Sequence, residues 1–376
     1  MLINIYKEKF NKYWRNINKS ILISFILLFV LGLFFSFSST SFLAGERLNK
    51  DYYFFFSKHS LFVLLSLITM FLVSFIEIGT LKKMVIPTFI FLLLLLVLVP
   101  MIGVEVKGAK RWLSLYVFRL QPIELLKPFF ILITAKILTS NEIKTSNLLY
   151  FFSFLVLVLI IIFLINQPDL GQSILLIGTW ISMVFISGIS IYYIFIFFCS
   201  FIFSLASLLI FLPQKFSYIT QRLTAFMDPN SGNSFQTQKA LDAIKQGGLK
   251  GEGMGEGILK DSVPEAHTDY VIAVISEEFG SITSIMLVVI FLYIAFNIVK
   301  FTIEEKDKNL KLSLCGLCSI LIFQTFIHIG VNTSLLPTTG MTLPFLSYGG
   351  SSLLGSSILA GVILNYTKNK FTEDEN

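Results

Sequence analysis

Long apolar runs recur along almost the whole chain, and they restrict it to folds that are stable in a lipid bilayer. A run of roughly 20 apolar residues is the length of helix that crosses the ~30 Å hydrocarbon core. Backbone amides find no water in that core, so each span must satisfy its own hydrogen bonds as a helix. The runs lie at residues 21–43, 59–79, 84–104, 122–138, 148–166, 170–189, 190–213, 269–299, 312–335 and 343–367. We therefore expect an all-α integral membrane protein with about ten transmembrane helices.

Composition supports this class and argues against others. Hydrophobic residues make up 55% of the chain, charged residues only 14%, and the mean hydropathy is +0.79. The net charge is +6, but no soluble segment interleaves basic residues with aromatic ones, so we expect no nucleic-acid partner. Cys199, Cys315 and Cys318 all fall within spans, which makes metal or redox use of these thiols an unattractive interpretation.

The distribution of basic residues predicts the orientation. Positive charge accumulates in cytoplasmic segments, and an apolar first run this long is an anchor rather than a signal peptide. A count of ten spans puts the following basic residues on one side: Lys7, Lys9, Lys12, Arg15, Lys19, Lys82, Lys83, Lys144, Lys306, Lys308, Lys311, Lys368 and Lys370. The chain is then one polytopic domain, 1–376, with cytoplasmic segments at 1–20 and 368–376. Residues 214–268 form a large extracytoplasmic loop between the seventh and eighth spans.

That loop contains a glycine-rich stretch and ends in an ionisable cluster. The glycines between 247 and 257 lack the surrounding strand and helix of a dinucleotide site, and they favour a mobile or tightly turned segment. Asp269 follows Glu265 and His267 where apolar sequence resumes. Ionisable groups at the end of a membrane helix indicate a functional site. The alternatives are a helix N-cap for Asp269 and an interfacial role for His267.

Polar residues elsewhere form smaller candidate sites. The external loop 105–121 breaks the charge bias, and its Arg111-Trp112 pair can grip phosphate or sugar or simply belong to the interfacial aromatic belt. Glu124 and Lys127 lie one helical turn apart and can pair. Glu277-Glu278 lies roughly 12 Å further along the helix from Asp269. Lys127 is also a possible partner for Glu277 and Glu278, although Glu124 is nearer to it in sequence. These charged residues can therefore also form a network that only stabilises the bundle.

Taken together, the motifs make the chain resemble the shape, elongation, division and sporulation (SEDS) family over nearly its whole length, and the division branch more than the elongation branch. The motifs are Gly108-Ala109-Lys110-Arg111-Trp112, Gln121-Pro122-Ile123-Glu124-Leu125-Leu126-Lys127, Gln167-Pro168-Asp169-Leu170-Gly171, Gly255-Glu256-Gly257, Pro264-Glu265-Ala266-His267-Thr268-Asp269-Tyr270, Gly330-Val331-Asn332, Leu336-Pro337-Thr338-Thr339-Gly340 and Pro344-Phe345-Leu346-Ser347-Tyr348-Gly349-Gly350-Ser351-Ser352.

The resemblance implies a peptidoglycan glycosyltransferase that polymerises lipid II at the outer face of the bacterial cytoplasmic membrane. Asp269 is then the general base, because a sugar hydroxyl is a poor nucleophile until its proton is removed. The remaining candidates fall into two groups: Arg111, Trp112, Lys110, Glu265 and His267 for substrate binding, and Glu124 and Lys127 for support of the cavity. Arg111, with Lys110 behind it, is the expected partner of the pyrophosphate, and a divalent cation, Mg²⁺ or Mn²⁺, can share that task.

The resemblance also implies partners. A class B penicillin-binding protein would supply cross-linking, alongside other membrane proteins of the division or elongation machinery. Two other classes of function fit the same composition. A lipid II flippase or transporter would place its decisive charges near the membrane midplane on repeated, broken helices, and no repeat is visible here. A scaffold that only recruits a transpeptidase would not need Asp269 at all.

Overall fold

The computed structural model describes residues 2–39, 54–106, 108–115, 118–141, 145–211, 213–214, 216–228 and 235–368. Helices dominate these ranges. They are α1 (Leu2–Asn16), α2 (Lys19–Ser39), α3 (Phe54–Phe75), α4 (Ile78–Ile102), α5 (Pro122–Leu138), α6 (Ser146–Asn166), α7 (Leu170–Ile186), α8 (Ile191–Phe211), α9 (Ser217–Met227), α10 (Phe235–Gly247), α11 (Val271–Glu304), α12 (Lys308–Asn332) and α13 (Gly350–Tyr366). A short 3₁₀ helix occupies Leu259–Ser262.

The prediction of a multi-pass helical membrane protein is confirmed. Within the described ranges, six helices are long and apolar enough to cross a bilayer, namely α2, α3, α4, α6, α11 and α12. The apolar helices α7 and α13 are each 17 residues long. Each predicted span overlaps one described helix, and the total of ten spans stays a prediction.

A small antiparallel sheet, which the sequence did not predict, joins α4 to α5. Its strands are β1 (Val104–Val106), β2 (Ala109–Leu115) and β3 (Phe118–Leu120), in the order β1-β2-β3. Strand β2 alternates inward and outward positions, with Arg111 and Leu113 buried and Lys110 exposed. The predicted external loop 105–121 is therefore a small sheet in its described part, and a bulge at Arg111 interrupts the pairing of β2 with β1 between Lys110 and Trp112.

Helix α13 is enclosed by the bundle, and its small residues explain how. It packs chiefly against α3 and α5. A Cβ built on Gly355 would lie 2.4 Å from the carbonyl oxygen of Glu124, and one on Gly361 would lie 2.8 Å from that of Met70. Helix backbones approach this closely only where side chains are missing, as in membrane bundles generally. The close packing fixes the N-terminus of α13 beside β3, where Ser351 Oγ bonds the Arg119 carbonyl.

Helix α11 is 34 residues long, or about 51 Å, and it is kinked at Gly280, where φ is 82°. The segment before the kink packs against α10 and the 3₁₀ helix, around a second small apolar core that includes Ala240, Ala243 and Tyr270. A hydrocarbon core of ~30 Å accommodates only the part after the kink. The first residues of α11 therefore belong to the loop layer rather than to the membrane.

The glycine-rich stretch is tightly turned rather than open. Gly247, Gly251 and Gly280 bring the backbones of this stretch and α11 into contact, and a Cβ on any of them would lie within 2.3 Å of a carbonyl oxygen across the contact. Glu252 N donates to the Glu277 carbonyl over 2.9 Å, and Gly253 N donates to that of Glu278 over 3.0 Å. The glycines thus allow the two backbones to approach closely. This agrees with the tightly turned segment, one of the two structures that the sequence favours.

Candidate functional site

A cavity of about 370 Å³ opens at the end of the bundle where α4, α6 and α12 end and α5, α7, α11 and α13 begin. This volume lies in the range of roughly 300–1,000 Å³ typical of ligand sites. Its walls come from the sheet, α9, the segment before α11 and the segment before α13. The lining residues are Val106, Ala109, Arg111, Trp112, Arg119, Gln121, Glu124, Arg222, Glu265, Thr268, Asp269, Gly340, Thr342, Tyr348, Gly349, Gly350, Ser351 and Ser352.

Arg111 is buried in the wall and held rigidly. Its Nε donates to the Gln167 carbonyl over 3.0 Å, and its Nη2 donates to the Pro168 carbonyl. Asp169 Oδ2 lies 3.8 Å from Nε and accepts from Gln121 Nε2 at 3.2 Å. The Gln167-Pro168-Asp169 motif therefore orients the guanidinium. One nitrogen, Nη1, lies near Gly340 at the cavity.

Asp269 is positioned through its backbone. The Glu265 carbonyl accepts from the amides of Thr268 and Asp269 in a tight turn, with Glu265 at a φ of 58°. Asn332, at the end of α12, donates from Nδ2 to the Asp269 carbonyl over 3.0 Å and accepts at Oδ1 from the amide of Ala273 over 3.2 Å. The N-cap of α11 is Tyr270, so Asp269 does not take the N-cap role considered from the sequence.

A second clamp ties the Asp269 segment to the segment before α13. Ser347 Oγ donates to the Thr268 carbonyl over 2.7 Å and accepts from the amide of Leu343 over 2.8 Å. The amide of Tyr348 donates to the His267 carbonyl over 2.9 Å. Ser347 and Tyr348, just before α13, thus hold the backbone on the N-terminal side of Asp269 in place against the cavity wall.

Asp269 and Arg111 face the same small volume beside Gly340. A Cβ built on Gly340 would lie 3.6 Å from Asp269 Oδ2 and 3.8 Å from Arg111 Nη1. The backbone at Gly340 has a φ of 71°, which disfavours any larger residue. A carboxylate and a guanidinium nitrogen, from segments distant in sequence, therefore border one gap that could receive a ligand.

Two further arginines line the cavity, and the sequence reasoning singled out neither as a site residue. Arg119, on β3, is exposed. Arg222, on α9, is half-buried, and its Nη1 is buried with no hydrogen-bond partner among the described residues. Burial, reinforced by the nearby charge of Arg111, lowers the pKa of Arg222, while Asp169 and Asp269 oppose the shift. An anion in the cavity would relieve the repulsion between the two guanidinium groups.

The other residues predicted to bind substrate are placed less uniformly. Trp112 and Glu265 line the cavity. Lys110 is exposed and does not line the cavity, although its neighbours Ala109, Arg111 and Trp112 do. The ring of His267 stacks on Phe55 with centroids 5.9 Å apart, so this residue packs behind the wall rather than lining it.

Glu124 and Lys127 form the predicted pair and belong to a longer network. Lys127 Nζ lies 2.7 Å from Glu124 Oε2 and donates to Gln324 Oε1 over 2.9 Å. Gln172 Nε2 donates to Glu124 Oε1 over 2.5 Å, and Gln324 Nε2 donates to the Thr342 carbonyl over 2.9 Å. The network links α5, α7 and α12 beneath the cavity, with Glu124 at the cavity floor and Lys127 behind it.

The structure separates Glu277 and Glu278 from that network. Glu277 Oε1 accepts from the amide of Leu259 over 2.7 Å, and Glu278 Oε2 accepts from Ser38 Oγ. Lys127 pairs with the nearer Glu124, as their spacing of one helical turn predicts, and its other contact is Gln324. Glu277 and Glu278 instead anchor the loop layer and α2 to the kinked part of α11.

The side chains around the cavity only partly meet the requirements of a metal ion. Within the described ranges, no three His, Cys, Asp or Glu side chains converge on a point where they could hold a metal. Mg²⁺, however, commonly takes only one or two protein carboxylates and completes its shell with substrate phosphates and water. Asp269 and Glu265 line the cavity and fit that pattern if a phosphate-bearing substrate is present.

Comparisons with known proteins agree on one family. The sequence matches the family model FTSW_RODA_SPOVE, described as "Cell cycle protein", over residues 18–371. A probable peptidoglycan glycosyltransferase FtsW of Pasteurella multocida is 33% identical over 363 residues, covering 92% of this chain and 89% of that protein. One from Geobacter sp. strain M18 is 34% identical, covering 92% and 95%. Stage V sporulation protein E of Bacillus subtilis is 32% identical, covering 91% and 94%.

Solved structures share the fold. A chain from a study of how a peptidoglycan synthase complex coordinates polymerization and crosslinking superposes with a TM-score of 0.75 at 24% identity, covering 93% of this chain and 97% of that one. The rod shape determining protein RodA of Thermus thermophilus gives a TM-score of 0.68 at 24% identity, covering 93% and 96%. At this identity the likeness concerns the fold alone.

Proposed function

The chain belongs to the FtsW/RodA/SpoVE family of cell cycle proteins, and we propose that it is a peptidoglycan glycosyltransferase that polymerises lipid II. Of the family's branches, its septal, division-type members are the nearer model, in line with the FtsW relatives. The observation that carries the chemistry is the placement of Asp269 and Arg111 on either side of Gly340 in one open cavity.

Asp269 is the proposed general base. The 4-hydroxyl of an acceptor N-acetylglucosamine attacks the anomeric carbon of the donor N-acetylmuramic acid, and its proton passes to the Asp269 carboxylate. The bond from the anomeric carbon to the pyrophosphate oxygen breaks, and undecaprenyl pyrophosphate leaves with the electron pair. This leaving group is already a stable anion, so a second carboxylic acid of the kind used in glycoside hydrolysis is not needed.

Arginines are the proposed partners of the leaving pyrophosphate. Arg111 is held by two carbonyl acceptors and an ion pair with Asp169 and needs no rearrangement when charge develops, which is the condition for effective electrostatic stabilisation. Arg222 adds a buried guanidinium nitrogen with no hydrogen-bond partner among the described residues, and Arg119 lies at the exposed rim. Trp112 and Glu265 are proposed contacts to the sugars. Lys110 lies outside the cavity lining, so its proposed role is limited to a long-range electrostatic attraction for the pyrophosphate.

A divalent cation, Mg²⁺ or Mn²⁺, is compatible with this arrangement. When bound, it would neutralise charge on the pyrophosphate oxygens. Asp269 and Glu265 are the lining carboxylates that could hold it together with the substrate. Glu124 is less suitable, because Lys127 and Gln172 already occupy its oxygens.

The proposed location is the bacterial cytoplasmic membrane, with the cavity on the outer face and both termini in the cytoplasm. The end of the bundle opposite the cavity carries Lys82, Lys83, Lys306, Lys308 and Lys311, and there Lys82 pairs with Asp307 over 2.9 Å. The positive-inside rule assigns that end to the cytoplasm. The proposed partners are a class B penicillin-binding protein that cross-links the strands and other proteins of the division machinery.

The deciding experiment compares wild type with Asp269→Asn in polymerisation of purified lipid II, with the partner transpeptidase present. The variant keeps the shape of the side chain but cannot accept the proton. We expect glycan strands from wild type and a loss of at least about 100-fold in the variant, the usual contribution of general base catalysis.

Asp242→Asn is the matched control, because it makes the same change at an exposed carboxylate on α10 that does not line the cavity. It should retain most of the activity. Equal activity of Asp269→Asn and wild type would remove Asp269 as the base. If no protein makes strands but lipid II still crosses vesicle membranes, the chain is a flippase instead.

A further inference from the structure

A second pocket, of about 160 Å³, lies between α9, α10 and the segment that follows α12. We call it the α9–α10 pocket. It is smaller than the roughly 300–1,000 Å³ of sites for whole drug-sized ligands. A single sugar ring is therefore a better match for it than a disaccharide.

The lining of the α9–α10 pocket has two chemically different parts. Phe226, Leu241 and Pro337 supply an apolar surface. Ser334 and Thr338 contribute side-chain hydroxyls that make no hydrogen bond within the described chain. Sugar rings need this combination, because they present an apolar C–H face and a perimeter of hydroxyl groups. No carboxylate lines the described pocket that would favour a cationic ligand.

Arg222 belongs to both the α9–α10 pocket and the larger cavity. Its buried Nη1 has no partner among the described residues, and its charge interacts with that of Asp269. A ligand in the α9–α10 pocket would therefore lie one arginine side chain away from the proposed site of sugar transfer.

Polymerisation requires space for more sugar rings than the larger cavity can hold. Donor and acceptor must be present together, and each carries a disaccharide, whereas the cavity measures about 370 Å³. A neighbouring pocket suited to one sugar ring supplies the missing space.

We propose that the α9–α10 pocket is a saccharide subsite that binds one N-acetylhexosamine unit next to the transfer site. The proposal rests on the proposed function. The sugar has two sources, an incoming lipid II molecule or the growing glycan strand, and the experiment distinguishes them.

The test fills the pocket with Ala225→Phe and compares it with Thr224→Phe. Ala225 lines the pocket, whereas Thr224 is exposed, lines neither cavity and bonds only to carbonyls of its own helix. Each variant is purified with its partner transpeptidase, and its thermal stability is checked. Two quantities are then measured, the KM for lipid II and the length distribution of the glycan strands.

If the pocket binds lipid II, Ala225→Phe should raise KM by about tenfold, which corresponds to about 1.4 kcal/mol of binding free energy. If it binds the growing strand, strands should become shorter while KM stays at the wild-type value. Thr224→Phe should behave as wild type in both. Agreement of Ala225→Phe with Thr224→Phe in both measurements would overturn the proposal.

Thr338→Val is the second variant, used in case Ala225→Phe fails to fold. It removes one hydroxyl at nearly constant shape, and the same measurement should change in the same direction by a smaller factor. If the wild-type protein makes no glycan strands from lipid II, the proposed function itself is contradicted. Active wild type with unaffected Ala225→Phe and Thr338→Val would contradict only the subsite.

Discussion

Gly340 is the residue at which backbone conformation and site chemistry are most directly linked. Its φ of 71° is unfavourable for residues with a side chain, and a methyl group there would enter the gap between Asp269 and Arg111. We expect Gly340→Ala to reduce polymerisation by at least about tenfold. The strain of the left-handed conformation should add a loss of about 1–2 kcal/mol in unfolding free energy.

Gly255→Ala separates these two effects. Gly255 has a similar φ of 84°, and no atom lies within 4 Å of the position that an alanine methyl group would take there. The control should therefore show the loss of stability in a thermal unfolding assay but retain polymerisation. An active Gly340→Ala protein would mean that substrate does not pass between Asp269 and Arg111.

A site residue could be predicted from the sequence only where its immediate sequence neighbourhood distinguishes it from other residues of its type. Asp269 stands out because ionisable residues cluster at the end of a span, and Arg111 because its external loop breaks the charge bias; the family motifs include both. Arg222 lies far from either in sequence, in a loop where a basic residue is ordinary, so only the folded structure brings it to the cavity. Lys110 is a candidate from sequence only because it neighbours Arg111, and in the fold it is exposed and lies outside the cavity lining.

At the level of elements, the contact between α10 and α11 depends on one missing side chain. A Cβ on Gly247 would lie 2.0 Å from the Ser276 carbonyl oxygen, which is part of a helix and cannot move alone. We expect Gly247→Ala to separate α10 from α11 and to lower the unfolding free energy of the loop layer by about 3 kcal/mol, the upper end of overpacking costs. Protease cleavage within the layer should become faster.

Gly178→Ala, in α7, is the matched substitution. Its Cβ would meet the Phe323 ring at an ordinary 3.6 Å. This variant should be as stable as wild type or slightly more stable, because alanine favours helix. Equal protease resistance of the two variants would show that the close contact does not hold the layer together.

The membrane helices could be predicted from hydropathy, but the small sheet and the kink of α11 beside the site could not. Span-length apolar runs predict membrane helices reliably because the bilayer permits few alternatives. Strands β1–β3 are three to seven residues long and carry charged side chains, so their pattern is weak. The kink of α11 depends on Gly280 meeting the Leu249 carbonyl, a contact between segments about thirty residues apart that no local pattern reports.

At the scale of the whole molecule, the proposed orientation can be tested by labelling. Cys199, Cys315 and Cys318 are first replaced, and a single cysteine is introduced as Gln238→Cys or Lys306→Cys. Gln238 is exposed on α10 near the cavity end, and Lys306 lies in the α11–α12 turn beside the Lys82–Asp307 pair. A membrane-impermeant maleimide should label only the Gln238→Cys protein in intact cells with a permeable outer layer.

Both variants should react after lysis, which controls for thiol accessibility. Labelling of Lys306→Cys alone in intact cells would reverse the orientation and place the cavity in the cytoplasm. A site for extracytoplasmic wall synthesis would then be untenable, whatever the chemistry of Asp269.

The Gly280 kink separates the catalytic region from the mechanics of the bilayer. Helices adjust to a thicker or thinner membrane mainly by tilting. Below the kink α11 exposes apolar side chains such as Ile285 and Phe296 and buries Leu287 and Phe291 in the bundle. Above the kink the helix is fastened to α10 and, through Asn332, to the end of α12. A tilt of the lower segment can thus be absorbed at the glycine, so that Asp269 keeps its height above Gly340 in membranes of different lipid composition.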